Sequence, residues 1–325
     1  MHFLGIDIGG TKTGVCIATE AGKILASRRM RAEPYEAIES YRTRLTSICA
    51  EVAEAAAVPL ETIEAVGISA PGPLDIRRGL LIRPPNNPGW VNVPIVSLVR
   101  EALNKPVYLN NDANSCALAE MLFGSHGKVE NLIYLTLSTG MGGGIIVNGR
   151  LVQGITDTGG EVGHHVVDPK GPLCPCGQRG CWEVYVGGYN VAERLKARIR
   201  QQQLKTKIVE KAGGVVDNIT MQALEAAARE GDPVAVEEWD QLAERLAQGI
   251  GSLIMILNPE IIVLGTIAIR VGDFIMVPLR EKLKKYAWEW PLRACRIVPS
   301  SLGDRIGDLS AIAVALTGLK EECAR

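Results

Sequence analysis

Phe3-Leu4-Gly5-Ile6-Asp7-Ile8-Gly9-Gly10-Thr11-Lys12-Thr13-Gly14-Val15-Cys16-Ile17-Ala18 sets two apolar runs around a turn rich in glycine and threonine. Apolar runs bounded by such punctuation predict strands, here two joined by a short connection. Glu20-Ala21-Gly22 makes the next turn, and Lys23 to Arg28 reads as a third strand. Apolar residues at helical spacing (Ile38, Tyr41, Leu45, Ile48, Val52) then predict a helix over 34–57. Strand and helix alternate from there: strand 63–69, helix 93–103, strand 107–110, helix 113–123. The pattern restarts with a strand over 131–137, a turn at Ser138-Thr139-Gly140-Met141-Gly142-Gly143-Gly144, and a return strand at 145–147. An irregular segment covers 156–188. Helices follow over 191–202, 220–229 and 234–257, a strand over 261–264, a helix over 273–286, a strand over 296–298, and a last helix over 306–319. Two successive hairpin-plus-α/β units predict an α/β protein of two similarly built halves.

The rest of the composition narrows the class. A length of 325 residues suits two domains. With 47% apolar and 22% charged residues the chain is globular rather than disordered. Its net charge of −1 lacks the basic excess of a nucleic-acid binder. The first apolar stretch is cut by Asp7 and Gly9-Gly10, and the segment 250–269 is broken by Asn258-Pro259-Glu260. Neither a secretory segment nor a membrane span is expected, and the expected location is cytoplasmic. Of eight cysteines, five are scattered singly and three crowd into 174–181, so reduced core thiols plus one cluster are expected.

Three motifs could carry chemistry. The chain has neither G-x-x-x-x-G-K-[ST] nor G-x-G-x-x-G, which excludes a P-loop and the dinucleotide fingerprint. In their place stand Asp7-Ile8-Gly9-Gly10-Thr11-Lys12 and Ser138 to Gly144. Glycines let backbone N–H groups approach an anion, Thr11 and Thr139 add hydroxyl donors, Asp7 could hold Mg²⁺ through water, and Lys12 could neutralise phosphate. Asn110-Asn111-Asp112-Ala113-Asn114 lies where a strand gives way to a helix. A carboxylate there can take a proton from a hydroxyl nucleophile, but Asn and Asp are equally preferred helix caps. Finally, His164-His165 precede Cys174-Pro175-Cys176-Gly177-Gln178-Arg179-Gly180-Cys181-Trp182-Glu183. Three thiolates and one imidazole complete a closed, structural zinc shell. The residues alone leave open which histidine ligates. Pro71-Gly72-Pro73 and Pro85 to Trp90 read as turns.

Together, Asp7 to Lys12, Ala70-Pro71-Gly72-Pro73, Asn111 to Asn114, Thr139 to Gly144, Glu161-Val162-Gly163-His164 and Cys174 to Glu183 resemble the ROK family (repressors, open reading frames and kinases), in particular its bacterial glucokinases. The resemblance runs from residue 3 to about residue 315. It implies two ribonuclease-H-like domains of the actin/hexokinase/Hsp70 type with an interdomain cleft. These would be a small domain of residues 1–112 plus 305–325 and a large one of residues 113–304 carrying the zinc knot. The last helix would return to the first domain. The resemblance makes Asp112 the catalytic base, and Gly72, Asn111, Asp112, Glu161, His164 and Glu183 the sugar-binding set. It gives Asp7, Gly9, Gly10, Thr11, Lys12, Thr139, Gly140, Gly142 and Gly265 nucleotide and phosphate roles. His164, Cys174, Cys176 and Cys181 become zinc ligands, with Mg²⁺ accompanying ATP. The chain departs from the family pattern at Ser138, at Gly265-Thr266-Ile267 and at Ser310.

The implied reaction is ATP-dependent phosphorylation of a hexose at its 6-hydroxyl, with glucose foremost. An N-acylmannosamine, N-acetylglucosamine, fructose or allose kinase is the nearest alternative, and polyphosphate is an alternative donor. A non-catalytic sugar-sensing regulator is the reading from another class; the family's repressors carry an N-terminal DNA-binding unit, for which a first strand at residue 3 leaves no expected room. The expected partners are a hexose and ATP, neither nucleic acid nor membrane, and a second copy in a homodimer or higher homo-oligomer.

Overall fold

A computed structural model describes residues 1–33, 35–84 and 87–324. Contacts group the chain into two compact units. The first comprises residues 1–130, 144–160 and 301–325, and the second residues 131–143 and 161–300.

The first unit opens with β1 (His2–Ile8), β2 (Lys12–Thr19) and β3 (Ile24–Arg31), then α1 (Ile38–Ala56). β4 (Ile63–Ala70), the short pair β5 (Leu74–Asp75) and β6 (Leu80–Leu81), α2 (Ile95–Leu103), β7 (Val107–Asn111) and α3 (Asp112–Phe123) follow. Its sheet has the order β3-β2-β1-β4-β7, antiparallel from β3 to β1 and parallel from β1 to β7. The helical spacing is borne out in α1, whose Tyr41, Leu45, Ile48 and Val52 are buried. Pro34, included in the helix from sequence, lies outside the described residues, and the helix begins at Ile38. Pro85 and Asn86 of the proline-rich turn lie outside them too. Trp90, which closes that turn, is a core residue: its indole donates to Glu36 O at 2.9 Å and its ring meets Tyr41 edge-on at 4.7 Å.

The chain continues with β8 (Leu132–Leu137), β9 (Met141–Val147), β10 (Arg150–Leu151), α4 (Glu183–Val186), α5 (Gly188–Gln202), α6 (Lys207–Lys211), α7 (Met221–Arg229) and α8 (Pro233–Leu257). It ends with β11 (Ile261–Leu264), α9 (Thr266–Val271), α10 (Asp273–Leu283), α11 (Glu289–Ala294), β12 (Arg296–Pro299) and α12 (Ile306–Cys323). The second sheet runs β10-β9-β8-β11-β12, repeating the order of the first with two parallel strand pairs at one side. Buried on both faces, Ile261 to Leu264 of β11 form the continuous apolar run expected of a parallel central strand.

α12 belongs to the first unit, where it packs on α3, β4 and β1. Small residues on that helix, among them Ala311, Ala313 and Ala315, are fully buried and allow the close approach. Ser310, the departure from the family pattern, is buried in the same helix and donates to Gly307 O at 2.8 Å. In open α/β sheets ligands gather beyond the carboxyl ends of the strands. That is where β1 ends at Asp7-Ile8, β4 at Ala70, β7 at Asn110-Asn111 and β8 at Leu137. No helix among the described residues is long and apolar enough to cross a membrane.

Candidate active site

In the first unit, β7 delivers Asn110 and Asn111 and α3 begins with Asp112. The Asn111 side chain caps α3, accepting from Ala113 N at 3.0 Å and Asn114 N at 3.4 Å. Asp112 Oδ1 accepts from Ala113 N at 2.8 Å. Behind them, Asn110 Oδ1 accepts from Asn111 N at 2.9 Å and from Asn114 Nδ2 at 3.3 Å. Capping therefore leaves the carboxylate available: the amide of Asn111 satisfies the helix start, and Asp112 is exposed at its tip. Gly72 lies alongside, its Cα hydrogen facing the Asn111 amide so that a Cβ would sit 3.6 Å from Nδ2.

Asp7 ends β1 in the same neighbourhood. Burial first, then the negative charge of Asp112, push its carboxyl up to about 7, against the pull of the Arg29 guanidinium. Asp308 adds to the same negative field, although it is itself paired with Arg29 at 2.7 Å. In the turn that follows, Gly9 N donates to Lys12 O at 3.0 Å, closing the hairpin, while Gly10, Thr11 and Lys12 are exposed. Sequence reasoning missed Arg29 and Asp308. Arg29 is visible only through the β2–β3 register, which pairs it with Gly14, and Asp308 only through the return of α12.

In the second unit the glycine loop is shorter than expected. The predicted turn over 138–144 is confined to Ser138-Thr139-Gly140, closed by Ser138 N donating to Gly140 O at 3.0 Å, and Met141 to Gly144 are strand β9. Gly142 is thus a strand residue. At Gly140 a Cβ would meet Glu183 Oε2 at 2.6 Å, so a side chain there would displace that carboxylate. The same Oε2 accepts from Met141 N at 2.9 Å. One carboxylate therefore ties the cysteine-cluster segment to the phosphate-loop candidate, a link that no sequence pattern announced. The start of α5 is pinned to the loop as well, Gly188 N donating to Ser138 O and Tyr189 N to Thr139 O, each at 2.9 Å.

Thr139 and Ser138 open onto a cavity of about 510 Å³ lined also by Tyr189, Lys196, Trp239 and Arg270. Thr266 and Ile267 line it too, whereas Gly265 sits behind them, donating to Leu135 O at 2.8 Å. Lys196 and Trp239 went unnoticed in the sequence because their helices read as ordinary amphipathic segments, and Tyr189 and Arg270 because they lie outside the helices expected there.

The cysteine knuckle is the other feature of this unit. The ligand atoms of His164, Cys174, Cys176 and Cys181 all lie within 4.8 Å of one another. His164 Nδ1 is 3.6 Å from Cys174 Sγ, and Cys176 Sγ is 3.5 Å from Cys181 Sγ. A tetrahedral Zn²⁺ with Zn–S near 2.3 Å separates its ligands by about 3.8 Å, so the group fits zinc. Gly177 turns the chain with φ +94°, and Gly177 N donates to Cys174 O at 2.9 Å. Without a metal, burial pushes the Cys174 thiol up and that of Cys181 to about 12, while a hydrogen bond from the Gln178 backbone pulls Cys176 down. The histidine ambiguity is resolved in the fold: His165 turns away, with Nδ1 against Val162 O and its ring 5.2 Å from Trp182. Glu161 precedes the short turn that carries His164, accepts from His164 N at 3.1 Å through its carbonyl, and is exposed.

Residues 3–317 match the sequence model of the ROK family. The chain belongs to the ROK family. This member is 33% identical over 314 residues to a glucokinase of Thermotoga maritima, covering 97% of each chain. It is 30% identical to a xylose repressor of Caldicellulosiruptor bescii, over 97% of this chain and 78% of that one. Among solved structures, a ROK glucokinase of Streptomyces griseus in complex with glucose and AMPPNP superimposes with a TM-score of 0.79 at 31% identity, covering 98% of this chain and 100% of that one. The architecture expected of the family, an α/β fold of the actin/hexokinase/Hsp70 type, is the one found.

Proposed function

We propose that this ROK protein transfers the γ-phosphoryl group of ATP to the 6-hydroxyl of a hexose, with glucose as the leading substrate. The class is plain: the chain is a sugar kinase of the ROK family, matched end to end by a glucokinase. The finer reading is carried by one observation, the exposed Asp112 presented at the carboxyl end of β7 by a capped Asn111 beside Gly72. In that reading Asp112 accepts the proton of the attacking hydroxyl, and Asn111 and the Gly72 backbone hold neighbouring hydroxyls. Little covalent chemistry is asked of the protein in phosphoryl transfer; placement and charge neutralisation do most of it.

Asp7 fits a role toward Mg²⁺. A carboxyl held near 7 by burial and by Asp112 lies in an over-negative field, which a divalent cation relieves. Mg²⁺ bound with ATP supplies positive charge to the transferring phosphoryl group. Gly10, Thr11 and Lys12 offer exposed donors for phosphate in the first unit, and Ser138 to Gly140 offer them in the second. The cavity beside Thr139 suits the nucleoside. One Zn²⁺ on His164, Cys174, Cys176 and Cys181 fixes the segment from which Glu161, His164 and Glu183 present groups for sugar hydroxyls. With Nδ1 toward the metal, the Nε2 of His164 is left to meet a hydroxyl.

The repressor relative favours a second reading, a sugar sensor without turnover. ATP consumption measured with a panel of glucose, mannose, fructose, allose, N-acetylglucosamine and N-acetylmannosamine separates the two. Hexose-dependent ADP formation, fastest with glucose, supports the kinase reading. Turnover with none of the sugars, together with measurable sugar binding, leaves the sensor.

A further inference from the structure

A second cavity of about 580 Å³ lies wholly within the first unit and shares no residue with the proposed catalytic set. It sits against β7 between α2, α12 and the segments around residues 77 and 154. Its volume falls within the usual range for small-molecule sites. Arg77, Arg78 and Arg100 line it. Arg78 faces Asp75 at 3.7 Å, but among the described residues Arg77 and Arg100 make no ion pair. The acidic lining groups do not neutralise them: Asp157 accepts from Ile76 N at 3.0 Å, and Glu321 pairs with none of the three. Guanidinium groups left unpaired around a cavity suit a phosphate, whose oxygens match their forked donors.

The floor of the cavity includes Asn110, a polar side chain only 7% exposed. Its Oδ1 accepts from Asn111 N at 2.9 Å and from Asn114 Nδ2 at 3.3 Å. An amide lining a cavity has Nδ2 hydrogens that can donate to a ligand oxygen. Gln153, Ser97 and Thr317 add further hydroxyl-matching groups to the lining.

We infer that this cavity is a second ligand site for a sugar phosphate monoester, with Arg77 and Arg100 on the phosphate and the Asn110 amide on the sugar. Asn110 holds the backbone of Asn111 from behind, so occupancy bears directly on the residues that present Asp112. The site is therefore placed to adjust turnover in response to a phosphorylated sugar. The choice of ester rests on the proposed kinase reading, whose product belongs to that class; the cavity and its unpaired arginines do not.

Binding is the test, because it is read without turnover. Glucose 6-phosphate and, separately, inorganic phosphate are titrated calorimetrically into zinc-replete protein saturated with glucose and AMPPNP, and into the Arg77→Ala/Arg100→Ala variant. The expected result is one equivalent of glucose 6-phosphate per chain, bound more tightly than phosphate and at least about tenfold more weakly by the variant. Both arginines are exposed, so hexose-dependent turnover of the variant without added ester should match the wild type. No binding, or equal binding by the variant, overturns the site. Equal affinity for inorganic phosphate overturns the sugar-ester assignment. A chain that phosphorylates no hexose but binds the ester at the arginines would sink the kinase reading and leave this one standing.

Discussion

The end of β7 and the cysteine knuckle solve the same problem, holding polar side chains in fixed positions, by opposite means. Asn111 and Asp112 are held by regular structure: a parallel strand ends, a helix begins, and the cap bonds that any helix start demands orient both side chains. The segment around His164 and Cys174 to Cys181 has almost no regular structure. It is held by turns, two isolated bridges, and the convergence of four candidate ligand atoms. The first site is stable because of the sheet. The second has the donor set of a metal site, and a bound metal would add the restraint that regular structure does not supply there. Replacing Asp112 should therefore damage chemistry and spare the fold, whereas replacing a knuckle cysteine should damage the fold locally and sugar binding with it.

The largest effect falls at Asp112. Asp112→Asn keeps a side chain able to accept from Ala113 N, so thermal stability should move little while kcat drops by about 10²–10⁴. Near wild-type turnover in this variant would reduce Asp112 to a capping residue and erase the contrast.

Next comes zinc. Metal analysis of protein purified without chelator should give one zinc per chain. Cys174→Ser or Cys181→Ser should lower both melting temperature and hexose affinity, the latter by about tenfold or more as Glu161 and Glu183 lose their anchor. Unchanged sugar affinity in a zinc-free variant would separate the knuckle from the sugar. Glu183→Gln sharpens the same point with an intact metal site. It weakens the bond from Met141 N beside Thr139, so the KM for ATP should rise along with that for the sugar.

The smallest effect concerns pH. The Asp7 carboxyl is held up at about 7 in the fold, above the 3.8 of a free aspartate. The folded state then binds the proton more tightly than the unfolded one. Its contribution to stability falls as pH rises from near 4 toward 7 and is flat above. Asp7→Asn removes that penalty. It should raise the melting temperature at pH 8 by about 2 °C or more, converge with the wild type near pH 4, and lose activity throughout. A lower melting temperature at pH 8 would show that Asp7 is stabilised as an anion by Arg29.

The contrast between the two regions also decided what could be read from residues alone. The repeat of hairpin and α/β unit was legible because apolar runs and their punctuation are local, and β11 and α1 lie where periodicity put them. The cysteine cluster was legible because its three thiols lie within eight residues, whereas the residues alone did not choose between His164 and His165. The fold read less well where glycine served packing rather than turning: Gly142 to Gly144 look like loop and are strand, and a Cβ at Gly144 would meet Ala113 O at 2.5 Å. The short helices α6, α9 and α11 carry too few turns for a periodicity to show. Arg29, Asp308 and the bond from Met141 to Glu183 join residues far apart in the chain, and only strand register and the return of α12 bring them together.

The central claim, transfer to the 6-hydroxyl, is tested most directly by phosphorus NMR of the reaction with ATP and either glucose or 6-deoxyglucose. The account predicts a sugar monophosphate signal growing with ADP for glucose and neither signal growing for 6-deoxyglucose. A sugar phosphate formed from 6-deoxyglucose, or ATP consumed at the same rate with both sugars, would contradict it.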